Sequence, residues 1–279
     1  MINRFKIGIQ LYTLREELEK DFEATIRALS EMGYECVEFA GYYGKTAEEL
    51  KTILDLYGLE PVSVHQNYEL FLDSNAQSHI DFLKKLGVKY CAIPWLGVEN
   101  HAGSPDFSKT VEEITNVGKQ LKDNGIQLLY HNHDFEFNTF ENKCLIDWLY
   151  ESIPSEYLQT EFDCCWVKYA GYDPVEFIKK YAKRSEVLHM KDFVCKKLKS
   201  GQVYDLIDEN GKNMGKTVTE EDNGFDFRPV GTGMLDCPPI IDAAKEIGMK
   251  YIIVEQDRCN SCTPLETAKL SIEYLKKLI

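Results

Sequence analysis

Eight β-prone runs alternating with eight helical stretches predict a single (β/α)8 TIM barrel over residues 1–279. Three observations carry that prediction. The strand–helix unit recurs at a mean of about 30 residues, the rhythm of such barrels. No GxGxxG turn follows the first strand, where a dinucleotide-binding open sheet would carry one; the glycine there, Gly8, lies within the strand. Ionisable side chains gather just past several strand ends, the rim on which a parallel barrel keeps its chemistry.

The first strand is read over residues 5–12, and helical spacing over 21–32 stops at Gly33. A second strand follows at 35–40, then a helix at 46–57 that Thr46 caps and Gly58 ends. The third strand is 60–66, with a helix over 75–86 ended by Gly87. The fourth is 89–94; beyond a loop with Gly97, Gly103 and Pro105 a helix runs over 108–124. The fifth strand, 126–131, begins after Gly125 and breaks into Tyr130-His-Asn-His-Asp-Phe-Glu-Phe137. A helix near 142–152 and a sixth strand near 158–162 come next. Pro174 suits the first turn of a helix over 173–182. The seventh strand is 187–191, the eighth 251–255, with helices at 237–247 and 264–278.

Residues 192–230 break the rhythm. They are polar, with a turn signal at Asp208-Glu-Asn-Gly-Lys212, and read as a β-hairpin inserted after strand seven. Insertions of this kind lie on the catalytic face of a barrel, so the segment reads as a lid, as an interface arm of a homo-oligomer or as a solvated decoration.

Composition narrows the function classes. A net charge of −14 gives no basic face for nucleic acid or anionic membrane. No apolar run reaches the roughly 18 residues of a membrane span. Nine scattered cysteines and a start without a leader-like apolar region point to reduced thiols in a cytoplasm. Cys259-Asn-Ser-Cys262 has neither the second ligand pair nor the thioredoxin-like context that a zinc or redox role needs.

Barrel closure would bring the ionisable strand ends together on one rim. Strand three ends in His65, and strand five offers His131, His133 and Glu136. Asp163 follows strand six, while His189 and Glu255 belong to strands seven and eight. Two or three carboxylates with one or two imidazoles form a mixed oxygen and nitrogen site suited to Mn²⁺, Mg²⁺, Co²⁺ or Zn²⁺.

The chain resembles the sugar (phosphate) isomerase/epimerase-like family of the xylose-isomerase-like barrels. That fold is shared with inosose-processing enzymes, ketose 3-epimerases and apurinic-site endonucleases. The resemblance spans nearly the whole chain. It rests on Ile7-Gly-Ile-Gln-Leu-Tyr-Thr-Leu-Arg15, Gly33-Tyr-Glu-Cys-Val-Glu-Phe-Ala40 and Tyr130-His-Asn-His-Asp-Phe-Glu-Phe137, and on His189-Met-Lys-Asp192, Pro229-Val-Gly-Thr-Gly-Met-Leu-Asp236 and Val254-Glu-Gln-Asp257. It implies one divalent metal held by Glu136, Asp163, His189 and Glu255. The family pattern sets its first glutamate earlier, where this chain has Tyr130 or His131, so His131 is the alternative ligand.

The expected reaction is proton abstraction beside the carbonyl of a sugar or sugar-like substrate, through a metal-stabilised enediolate. His133 and Glu255 are the expected proton carriers. His65, His131, Lys191 and Arg258 are expected on substrate oxygens, and Trp95 and Trp166 on the pocket wall. Trp166 stands where ketose epimerases and the endonucleases resemble each other in having histidine. Reprotonation of the enediolate gives an isomerase or epimerase; loss of a β-substituent gives a lyase acting on a 3-keto-glycoside. An apurinic-site-type phosphodiesterase and a non-catalytic subunit are the other readings. Gly231-Thr-Gly233 is either a phosphate cradle or a turn into the next helix.

Overall fold

Apolar runs bounded by glycine and by capping residues pair, in a computed structural model describing residues 5–198 and 224–279, into a closed barrel of eight parallel strands. The strands are β1 (Lys6–Gln10), β2 (Cys36–Phe39), β3 (Glu60–His65), β4 (Tyr90–Ile93), β5 (Gln127–His131), β6 (Gln159–Asp163), β7 (Ser185–Met190) and β8 (Tyr251–Val254). Each pairs in parallel with its neighbours in sequence, and β8 closes on β1 through Lys6 opposite Tyr251 and Ile9 opposite Val254. The (β/α)8 barrel expected from the alternation is therefore the observed fold.

Local chemistry sets the helix ends. Thr46 and Thr263 form capping boxes with Glu49 and Glu266 on the helices Ala47–Tyr57 and Pro264–Leu275. Gly33, Gly58, Gly87 and Gly248 end four helices in the left-handed conformation. The sequence reading missed four short elements: the helices Arg15–Lys20 and Cys164–Tyr169, and the two-residue strands Thr139–Phe140 and Lys143–Cys144. All are under two helical turns or a few residues long, too short for a periodic signal.

Strand alternation sorts side chains between two apolar regions. One lies between strands and helices and includes Val37, Val64, Tyr130, Phe162 and Leu188. The other fills the barrel with Cys36, Val62, Tyr90, Ala92, Leu129, Val187, Tyr251 and Ile253. Toward the C-terminal strand ends the interior turns polar: Gln10, Glu38, His131, Glu161, Asp163, His189 and Lys191 are all buried there.

One helix comes close enough to its neighbour to require glycine. A β-carbon on Gly118, within Phe107–Asp123, would stand 2.3 Å from the carbonyl oxygen of Tyr157. Alanine is the better helix former by about 1 kcal/mol, yet Gly118→Ala is expected to destabilise by about 1–3 kcal/mol because backbone must move. Denaturant unfolding checks this, and a raised midpoint would refute the close approach.

At the insertion, Asp192–Val194 pairs antiparallel with Asp226–Arg228. Phe193, Phe225 and Phe227 join Cys165, Trp166 and Tyr169 in a separate apolar cluster. The expected turn at 208–212 lies outside the described residues. All nine cysteines are free, and no helix among the described residues is long and apolar enough to cross a membrane.

Candidate active site and metal centre

Asp163 is the best-anchored group at the rim. It ends β6 and caps the short helix Cys164–Tyr169, its Oδ1 accepting the Trp166 N–H at 3.0 Å. Asn132 holds the same residue at two points, accepting its N–H at 3.0 Å and donating to its carbonyl at 3.2 Å. Oδ2 is left buried and takes no hydrogen bond; Lys191 Nζ is 3.5 Å away and His131 Nε2 3.8 Å.

Around Asp163 the strand ends converge. His131, Asp163, His189 and Glu255 each present a ligand-capable atom, and these atoms lie within 4.8 Å of one another. His189 Nδ1 is 3.0 Å from Glu255 Oε2. A second set, His65, His131, Glu161 and His189, meets the same limit and shares two of its members with the first. In it His65 Nε2 lies 2.6 Å from Glu161 Oε2 and 3.0 Å from Glu38 Oε1. Two imidazoles and two carboxylates, one carrying an oxygen without a hydrogen bond, fit a divalent metal of the transition series.

Lys191, one residue past β7 and 1 % exposed, sets the local field. Its ammonium lies 2.9 Å from Glu255 Oε2 and 3.2 Å from Asp257 Oδ1, and over the ring of Trp166 at 5.4 Å. Burial works against the Glu255 carboxylate, but Lys191 and His189 hold its carboxyl well below the usual range. Burial pushes Asp163 up to about 6 against the pull of the same two groups. For His189 burial disfavours the imidazolium, while Glu161 and Glu38 more than offset it and raise the ring well above an ordinary histidine. Desolvation lowers His65, which is half-buried, but Glu38 and Glu161 beside it raise it to about 10.

His133 differs. Burial, then the Lys191 charge, holds it well below the ordinary histidine value, which favours the uncharged ring. Its ring stands 4.8 Å from that of His131, 5.7 Å from Trp166 and stacks on Phe135 at 5.5 Å.

Glu136, which the resemblance implied as a ligand, belongs to neither donor set. Its Oε1 accepts the Tyr130 hydroxyl at 2.5 Å and its Oε2 the His133 backbone N–H at 2.8 Å. Burial raises its carboxyl to about 8. Tyr130 and His131 face opposite sides of β5, so bonding to Tyr130 turns Glu136 away from the barrel axis. His131, the alternative, is a member of both donor sets. Asp163, His189 and Glu255 lie together, with His65, His131, His133, Trp166 and Lys191 beside them. Trp95 and Arg258 are half-buried on the rim loops after β4 and β8.

Glu38, Glu161, Asn132 and Asp257 escaped the sequence reading. A signal existed for two of them: Glu161 precedes Asp163 by two, the same face of a strand, and Glu38 is a lone carboxylate inside apolar β2. Gly231-Thr-Gly233 is a turn that Asp192 has filled. The Asp192 carboxylate accepts the N–H groups of Gly231 at 3.0 Å, Gly233 at 2.9 Å and Leu235 at 3.0 Å.

Residues 26–278 match the family model described as the xylose isomerase-like TIM barrel. The chain is similar to the inosose dehydratase of Clostridium perfringens (strain 13 / Type A), 26% identical over 93% of this chain and 90% of that one. It is as similar to the inosose dehydratase of Geobacillus kaustophilus, 26% identical over 100% and 96% of the two chains. Among solved structures, a sugar phosphate isomerase/epimerase from Parabacteroides distasonis superposes with a TM-score of 0.76 at 23% identity, covering 98% of each chain.

Proposed function

The chain belongs to the xylose isomerase-like TIM-barrel family, and from that premise we propose that it is a divalent-metal-dependent dehydratase of a keto-sugar or keto-cyclitol. The observation that carries this reading is the meeting of His131, Asp163, His189 and Glu255 within 4.8 Å, with neutral His133 alongside. These four side chains would hold the metal, which supplies Lewis-acid polarisation of a substrate carbonyl. His133 takes the proton from the carbon next to that carbonyl. The C–H electron pair becomes the new C=C bond as the C–O bond to the following carbon breaks. The hydroxyl leaves as water once protonated, and Lys191 is placed to donate to it. Trp166, buried against Phe225 with the Lys191 ammonium over its ring, backs the site from within the apolar cluster.

The inosose dehydratases among the relatives support elimination of water as the outcome. Asp192 supports an unphosphorylated substrate, since it occupies the backbone N–H groups that a phosphate would use. An isomerase or epimerase is the second reading. It starts from the same proton abstraction, and the presence of two proton-carrying groups, His133 and Glu255, favours it.

The test is incubation of metal-loaded protein with inososes, ketoses and 3-keto-glycosides in D₂O, followed by chelation and NMR. We expect deuterium beside the carbonyl and a dehydrated product, both lost when EDTA is present from the start. Exchange with an epimer or isomer as the product would move the assignment to the second reading. Stoichiometric metal without exchange on any substrate would remove both.

A further inference from the structure

The two overlapping donor sets pose a choice. His131 and His189 belong to both, and each ring turns one nitrogen toward each set. His131 Nδ1 is 3.1 Å from Glu161 Oε2, and its Nε2 is 3.8 Å from Asp163 Oδ2. His189 Nε2 is 2.8 Å from Glu38 Oε1, and its Nδ1 is 3.0 Å from Glu255 Oε2. A neutral imidazole has one nitrogen with a lone pair and one with a proton. Neither ring can therefore ligate a cation in both sets at once.

The carboxylates each set supplies decide between them. In the deeper set, His65 Nε2 already sits between Glu38 Oε1 and Glu161 Oε2 at 3.0 and 2.6 Å, where a cation bridging those carboxylates would lie. Gln10 Nε2 adds a hydrogen bond to the same Glu38 oxygen at 2.8 Å. The outer set brings two carboxylates, Asp163 and Glu255, where the deeper set has Glu161 alone; Asp163 Oδ2 takes no hydrogen bond, as is true of Glu38 Oε2 and Glu161 Oε1. Lys191 Nζ approaches Glu255 Oε2 and Asp163 Oδ2 in the outer set as His65 approaches the acids of the deeper one, so it is the second carboxylate that favours a divalent metal there, and the deep carboxylates are placed to accept ring N–H groups. Glu38 on β2 and Glu161 on β6 stand on well-separated staves of the barrel. The two rings they reach are 4.7 Å apart and nearly perpendicular, at 71°.

We propose that Glu38 and Glu161 are positioning residues that assign the ring protons of His189 and His131, so that His189 offers Nδ1 and His131 offers Nε2 to the metal. The proposal rests on the metal site argued above. A carboxylate behind a ligating histidine fixes its tautomer and raises its basicity, and losing one typically costs about 10–100-fold in metal affinity.

The experiment uses full-length protein labelled with [¹⁵N]histidine and loaded with Zn²⁺. Long-range ¹H–¹⁵N correlation reads which ring nitrogen carries the proton, and competition with a chelator gives the affinity. Wild type is expected to show His189 protonated at Nε2 and metal-bound at Nδ1, and His131 protonated at Nδ1 and bound at Nε2. Glu38→Leu is expected to lose the His189 pattern alone and about 10–100-fold in affinity. Glu38→Gln keeps an acceptor oxygen and should keep the pattern, with a smaller loss. Glu161→Leu should do to His131 what Glu38→Leu does to His189. Binding of His189 through Nε2 in wild type would overturn the proposal, even were the leucine variants not to fold. So would a folded Glu38→Leu with ring pattern and affinity unchanged. Wild type that takes up no Zn²⁺ would instead fail the metal site itself, a result visible before any variant is made.

Discussion

Turnover of the keto substrate by His133→Gln is expected to fall by about 10²–10⁴-fold, the usual worth of a general base, while Zn²⁺ uptake stays that of wild type. Burial and the Lys191 ammonium hold the His133 imidazole neutral and well below its ordinary titration range. Its backbone is pinned by Glu136, so a glutamine of similar reach keeps the shape without the basicity. Because the shift is downward, the base stays unprotonated below the usual histidine range. The acid limb of the wild-type pH profile is therefore expected beneath that range. Initial rates of deuterium uptake, measured beside metal competition, test the role. Full activity in His133→Gln would pass it to Glu255.

Lys191→Met is expected to cost about 3–5 kcal/mol of folding stability in metal-free protein, the scale of stranding buried charge by removing one member of an ion-pair group. Its ammonium is the cation that Glu255, Asp163 and Asp257 share at 2.9, 3.5 and 3.2 Å. Methionine keeps the length and packing of the stem and drops the charge. A divalent metal bound at Asp163 and Glu255 would compensate those carboxylates, so saturating Zn²⁺ should restore much of the loss. Urea unfolding of both proteins with and without Zn²⁺ measures this. Equal metal-free midpoints would mean that the carboxylates take up protons rather than stay charged beside the missing lysine.

Much of this was legible in the chain itself. Capping residues and end glycines speak to the nearest turn of backbone, which is why the helices Ala47–Tyr57, Ala76–Leu86 and Cys237–Ile247 fall within a residue of where Thr46, Gly87 and Gly248 place their ends. The eightfold repeat determined the barrel, because parallel strands joined by helices bury both faces only when the sheet closes or is covered. Once the barrel is granted, alternation along each strand puts Asp163, His189 and Glu255 on its inner rim.

Tertiary structure alone decided how those groups meet. Glu136 follows a turn after β5, and nothing local says whether its carboxylate returns to the axis or to the Tyr130 hydroxyl on the far side of the strand; packing sends it to Tyr130. His131 thereby becomes the rim donor of β5. Glu38 and Glu161 look like stray acids in apolar strands until closure of the barrel brings both within reach of His65 and His189, and Glu161 within reach of His131 as well. Backbone period and capping are local properties, so the fold and the faces its side chains take can be read along the chain. Which nitrogen meets which oxygen was settled only by distances across the barrel, between residues as far apart in the chain as Glu38 and His189.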